Sequence, residues 1–207
     1  MTTVAVIETT DGRRRSSERS QEQIIDAIHQ LVSEGDLVPS AARIADRANV
    51  GLRTVFRHFE DMDTLYRRMI DRVEAQVLPG ISEPYSSSGG FERLEEHIAR
   101  RCEVYEFVAP FRSAAKLRRY HSAFLMENFH RNIRLERETL RAMLPADVTA
   151  NPVLVAGLEV LASFQAWRTL RRDHGRSAEE TRQALWNAIC CLLGRPLSGH
   201  STVAAPA

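Results

Sequence analysis

Lysine is almost absent from this chain of 207 residues: 27 of its 28 basic residues are arginine, and Lys116 stands alone. Cysteine is scarce too. Cys102 and the adjacent pair Cys190 and Cys191 make no framework of paired bridges, which fits a reducing compartment. No apolar run approaches the roughly 18 residues of a membrane span, and the patch from Val4 to Ile7 precedes its basic cluster, the reverse of a secretory signal. The expectation is a soluble, cytoplasmic chain with no membrane partner. A net charge of +1 with 43% hydrophobic residues excludes extensive disorder. Catalytic signatures are missing as well: no glycine-rich phosphate loop, no nucleophile elbow, no metalloprotease histidine pair. No enzyme, catalytic set or cofactor is expected. His97, His121 and His130 lack the i, i+4 partners that would argue for a metal site, and none is expected.

What the chain does have is helical periodicity, broken where its eight prolines fall. Ile24, Ile28, Leu31 and Val32 mark one face of a helix from Ser20 to Glu34, with Ser20 and Gln23 as a capping box and Gly35 as its stop. Ser40 caps a short helix to Ala48, whose apolar face is Ala41, Ile44, Ala45 and Ala48. Asn49 can take the left-handed conformation that ends it, and Gly51 opens a helix from Leu52 to Phe59. Asp61 caps the next helix, to about Val77. The stretch from Pro79 to Gly90, with its prolines, glycines and serines, reads as a linker. Beyond it, helices are expected from Phe91 to Val108, from Phe111 to Tyr120 after a break at Pro110, and from His121 to Leu144. Asn151 followed by Pro152 starts one to Arg172, and a second capping box, Ser177 with Glu180, starts the last. Residues 1–19, with Arg13, Arg14, Arg15 and Arg19, are expected to form a disordered basic arm, and residues 195–207 a disordered tail. The domains proper are then 20–78 and 91–194.

Two short helices around a turn, buttressed by an amphipathic helix, have the proportions of a helix-turn-helix. Small residues sit where the helices cross, and Arg53 and Arg57, four apart, share one face of the second helix. Ile44, Ala45, Ala48, Val50, Thr54, Val55, Phe56, His58, Phe59 and Leu65 together resemble the signature of TetR-type transcriptional regulators. The resemblance covers about residues 20 to 70. It implies an all-α fold: an N-terminal three-helix DNA-binding domain and a larger helical domain that binds an effector and dimerises. It also implies a homodimer that binds a double-stranded DNA operator through Ser40, Gly51, Leu52, Arg53, Thr54, Phe56, Arg57 and His58. Three departures from the family pattern stand out: Phe56 where tyrosine is usual and Met62 where lysine is usual each remove a common phosphate contact, and Asn49 and Gly51 replace the customary glycine and serine of the turn while still able to adopt its backbone geometry.

The second domain carries wide apolar helix faces. Leu94, Ile98, Cys102, Tyr105, Leu125, Phe129 and Phe164 are candidates to line a cavity for a largely apolar small-molecule effector, with the Tyr105 hydroxyl as a polar contact. The helix from Asn151 is apolar nearly all round, so it and the last helix are expected to pair with their symmetry mates through Leu161, Phe164, Leu185 and Ile189. The expected function is a repressor that releases a palindromic operator when the effector binds. The alternative is a helical ligand-binding or interaction protein with a degenerate DNA-reading head, suggested by Phe56, Met62 and the acidic Glu60, Asp61 and Asp63.

Overall fold

The structure, a computed structural model, describes residues 4–196, with side chains described from residue 14 onward. Every regular element among the described residues is helical: α1 Val4–Ser33, α2 Ala41–Arg47, α3 Leu52–His58, α4 Met62–Ser82, α5 Gly90–Arg118, α6 Ala123–Arg141, α7 Ala146–Thr149, α8 Pro152–Leu161, α9 Phe164–Arg168 and α10 Ala178–Leu192. A 3-10 turn (Arg119–His121) precedes α6 and a π turn (Thr169–Asp173) follows α9. The all-α class read from the sequence is the class observed.

The chain divides into two compact units, Met1–Leu78 with Pro110–Glu127, and Pro79–Ala109 with Asn128–Ala207. The first division falls at the start of the expected linker. The second groups residues 110–127, which lie inside the expected domain 91–194, with the first unit.

In the first unit, α1 buries Ile24, Ile28, Leu31 and Val32 at no more than 3% exposure, each apolar side chain contributing about 1.5–3 kcal/mol. Val55, Phe59, Leu65, Tyr66 and Met69 complete that core. The returning segment is held by rings: Phe111 packs on His29 at 4.6 Å, the Arg118 guanidinium lies over Tyr66 at 4.8 Å, and Arg67 lies over Phe124 at 3.8 Å. In the second unit, Leu94, Ile98, Cys102 and Tyr105 of α5 are buried, as are Leu158 of α8, Trp167 of α9 and Leu185, Trp186 and Ile189 of α10.

Several expected boundaries are displaced. α1 does not begin at Ser20. It runs from Val4, and the Ser20 hydroxyl donates to the carbonyl of Ser16 instead of capping a helix start. The expected disordered arm is thus helical from Val4 to residue 19; the Arg13 side chain, and residues 197–207 of the expected tail, lie outside what the structure describes. Pro79 and Pro110 lie inside α4 and α5. Each costs a backbone hydrogen bond, and around Pro110 that loss is offset by the burial of Val108, Ala109, Phe111 and Ala114. The serine-rich stretch is ordered by one carboxylate. Glu96 accepts from the N–H and hydroxyl groups of both Ser86 and Ser87, at 2.9–3.0 Å.

The helix expected from Asn151 to Arg172 is broken after α8, with a bend of 42° between Pro152–Leu161 and Phe164–Asp173. Ser163 sits at the break and caps α9, its hydroxyl accepting from Ala166 N–H. Expected caps are present at Ser40 and also at Asn49 with φ 52°, Asp61 accepting from Thr64 N–H at 2.7 Å, Asn151 accepting from Val153 and Leu154, and the reciprocal Ser177–Glu180 box.

A candidate DNA-reading helix and a polar seam in the second unit

The turn between α2 and α3 is built by backbone chemistry. Ser40 caps α2, its hydroxyl accepting from Arg43 N–H at 3.3 Å. After Ala48 the chain reverses at Asn49, and Val50 N–H donates to Ala45 C=O at 3.0 Å. Gly51 is extended and takes the N-cap position of α3, where its carbonyl accepts from Thr54 N–H at 2.8 Å. Buried Ile44, Ala45 and Ala48 on one side, and Val55 with Phe59 on the other, lock the two helices together.

This arrangement fixes what α3 presents to solvent. Leu52, Arg53, Phe56 and Arg57 are exposed, while Thr54 and His58 are half-buried. The Nε2 of His58 is buried and reaches no partner among the described residues, and burial, then Arg57, lowers its pKa. That favours the neutral ring packed against its neighbours over an outward cation.

The arginines of the two helices fall into two groups. Arg47 grips Glu34 through both terminal nitrogens, and Arg43 pairs with Asp36 at 3.2 Å. Arg53 and Arg57 pair with no carboxylate among the described residues. The acidic group after Phe59 is partly committed as well, since the Thr64 amide bond at the start of α4 holds the Asp61 carboxyl below its ordinary pKa.

In the second unit a polar seam crosses the bend between α8 and α9. The bend frees the carbonyl of Ala162, which accepts from Arg101 at 3.0 Å and from the Tyr105 hydroxyl at 3.1 Å. Arg101 also donates to Glu136 C=O, the Thr139 hydroxyl and His97 Nε2, at 2.8, 2.8 and 2.9 Å. A guanidinium cannot accept, so Nε2 is the acceptor and neutral His97 carries its proton on Nδ1, from which it donates to the Tyr85 oxygen at 2.8 Å. Burial, then Arg101 and Arg100, pushes the His97 pKa down to about 3.

Beside the seam, Tyr105, Phe164 and Trp167 form a ring cluster with centroids 5.3–5.8 Å apart. The indole N–H of Trp167 and the hydroxyl of Thr181, both on fully buried residues, reach no partner among the described residues. Cys102 is buried, which raises its thiol pKa to about 12 and leaves it protonated and inert.

Of the expected effector residues, Leu94, Ile98, Cys102, Tyr105 and Phe164 are buried in this unit. Leu125 belongs to the first unit, and Phe129 is only half-buried. The Tyr105 hydroxyl, expected to await a ligand, already donates to Ala162. Arg101 is part of the seam, although apolar periodicity alone does not single it out. Its spacing four residues after His97 was the available signal.

The residues expected at a dimer interface differ in exposure. Phe164, Leu185 and Ile189 are turned into their own unit's core, at 6%, 3% and 1% exposure, and Leu161 is half-buried. The large apolar side chains that α8 and α10 expose are Val153 at 81%, Val160 at 65% and Leu192 at 41%. The two helices meet closely at Gly157, where an added Cβ would lie 2.9 Å from Leu192 Cδ2.

Among the described residues no single helix is long and apolar enough to cross a membrane, although α8 with the bent segment after it passes that test by composition. No group of three or more metal-binding side chains occurs among them. No family model and no curated protein matches the chain. A solved structure does: a transcriptional regulator from Rhodococcus sp. Rha1 is similar at a TM-score of 0.64 and 20% identity, over 86% of this chain and 96% of that one. At that identity the likeness establishes a shared fold.

Proposed function

We propose that the chain is a dimeric, ligand-responsive regulator of transcription that binds a palindromic duplex operator through α3 and releases it when a small effector binds. The observation that carries this reading is the division of arginines: Arg43 and Arg47 are held by Asp36 and Glu34, whereas Arg53 and Arg57, on the exposed face of α3, pair with no carboxylate among the described residues. Unpaired guanidinium groups four apart on a helix anchored from behind are suited to phosphates or to guanine edges. The fold shared with a transcriptional regulator supports the same reading. Ser40 and Gly51 act through the backbone they position. Thr54 sits at the helix start, and His58 serves packing more than contact.

The effector belongs in the second unit, near Tyr105, Phe164 and Trp167. A largely aromatic or apolar molecule with one hydrogen-bond acceptor would suit the Trp167 N–H. To release DNA it must prefer the non-binding conformation; a 100-fold preference corresponds to about 2.7 kcal/mol. α5 and α6 each begin in one unit and end in the other, so a change within the second is covalently continuous with residues of the first. The dimer surface we assign to Val153, Val160 and Leu192.

The test is selection of duplexes from a random pool by the full-length chain. Enrichment of an inverted repeat, with affinity that falls steeply as salt rises and is lost in an Arg53→Ala, Arg57→Ala double variant, is the expected result. A folded chain that enriches no sequence would leave the alternative, a helical binding protein whose head no longer reads DNA.

A further inference from the structure

α3 presents two neighbouring rows to solvent. Arg53 and Arg57 form one; Leu52 and Phe56, also four apart and 46% and 50% exposed, form the other. Single exposed apolar side chains are ordinary, but here two large ones share the outer face of a seven-residue helix with two unpaired arginines. Neither apolar side chain can donate to a phosphate, and the ring of Phe56 has no hydroxyl with which to do so.

A partner for this face must therefore offer hydrogen-bond acceptors and an apolar group side by side. The major groove of duplex DNA does: guanine shows O6 and N7, and the only apolar group on a base edge there is the thymine C5 methyl. An apolar protein surface would leave both guanidinium groups unpaired on burial, at a cost.

We infer that Leu52 and Phe56 read thymine methyl groups, next to guanines taken by Arg53 or Arg57. At those positions the discrimination of thymine is carried by its methyl and not by a hydrogen bond. This rests on the proposal that α3 reads DNA. It also gives Phe56 a task of its own, where the resemblance alone marks it as a lost phosphate contact.

The experiment starts from a duplex selected by the full-length chain. Each thymine of one half-site is replaced singly by deoxyuridine, which deletes the methyl and keeps every hydrogen-bonding group. At one or two positions the wild-type chain should lose about fourfold in affinity, the scale set by burying one methyl. Phe56→Ala should bind the parent duplex more weakly and lose nothing further at the position Phe56 reads, whereas Phe56→Tyr should stay sensitive. Leu52→Ala provides a second, independent variant if Phe56→Ala misfolds. Equal wild-type affinity for every deoxyuridine duplex would overturn the methyl reading while leaving DNA binding intact. Failure to select any duplex would overturn both, and would point to a protein partner for this face.

Discussion

Arg47 holds Glu34 with two parallel hydrogen bonds, 2.8 and 2.7 Å long, and so ties the end of α2 to the end of α1. The pair takes one arginine of the helix pair out of play for a partner, and Arg43 with Asp36 takes a second. Salt dependence should therefore rank these side chains. Arg53→Ala and Arg57→Ala are each expected to lower the slope of log affinity against log salt by about one if the residue meets a phosphate, while Arg47→Ala should leave it unchanged. A fall in slope for Arg47→Ala matching that for Arg57→Ala would show that the ion pair opens on DNA.

The turn depends on Asn49 at φ 52°, a conformation open to asparagine and glycine and strained for branched side chains. Asn49→Gly should keep the urea midpoint near wild type. Asn49→Val should lower stability by about 1–2 kcal/mol, because its exposed side chain gains no burial in return. Equal midpoints for the two variants would mean that the turn relaxes.

Local chemistry made part of this fold legible in the sequence. Asn49, Asp61, Asn151 and the Ser177–Glu180 box each announce their caps through one side chain and a fixed spacing, and the buried faces of α1 to α4 follow from periodicity. The misreadings share a different cause. Pro110 reads as a stop and Ser20, with Gln23, as a helix start, but burial around Pro110 lets α5 continue, and α1 runs through Ser20, whose hydroxyl bonds back to the Ser16 carbonyl. The return of residues 110–127 to the first unit depends on Phe111 meeting His29 and Arg118 meeting Tyr66, contacts that local pattern cannot encode. α8 is apolar nearly all round, Glu159 apart, so its periodicity could not say that Val153 and Val160 face outward while Leu158 faces in.

Acid should destabilise the chain in two steps. The unfolded state binds a proton at His97 near its ordinary 6.5, whereas the folded state resists until about 3, so stability declines as pH falls from 6.5 towards 3. Glu96 sits at about 2 against an ordinary 4.5, because the Ser86 and Ser87 amides favour its charged form, and its contribution is lost as pH falls from 4.5 towards 2. Between 6.5 and 4.5 the slope is due to His97 together with His29 and His58, whose pKa values are also lowered by burial. One proton accounts for at most about 1.4 kcal/mol per pH unit. His97→Gln should reduce the slope of the upper window and Glu96→Gln that of the lower one in urea melts across pH, the rest of the lower slope coming from other carboxyls held below their ordinary pKa, Asp61 and Glu180 among them. An unchanged upper slope in His97→Gln would show that the ring is not held neutral by the seam.

Assembly and folding should separate on α8 and α10. Val160→Asp changes a side chain that is 65% exposed, so it is expected to give a folded monomer by sedimentation velocity, with its helical circular dichroism retained. Ile189→Asp buries a carboxylate at a position 1% exposed and should unfold the second unit. A Val160→Asp variant that remains a dimer at micromolar concentration would move the interface elsewhere.

The fully buried hydroxyl of Thr181 reaches no partner among the described residues, and such a group costs about 1–3 kcal/mol when left unpaired. Valine has the same branched shape without the hydroxyl. Thr181→Val should therefore raise the urea midpoint, the reverse of the usual outcome of altering a buried residue. The Trp167 indole N–H lies in the same unit and is likewise unpaired, but Trp167→Phe also removes ring volume and should lose stability through the space it leaves. The two variants separate polarity from packing. An aromatic effector that accepts from Trp167 would raise the melting temperature of wild type and Thr181→Val alike, and would do so much less for Trp167→Phe. If Thr181→Val instead lowers stability by 1 kcal/mol or more, on the order of a lost hydrogen bond, the hydroxyl has a partner and this account of the interior fails.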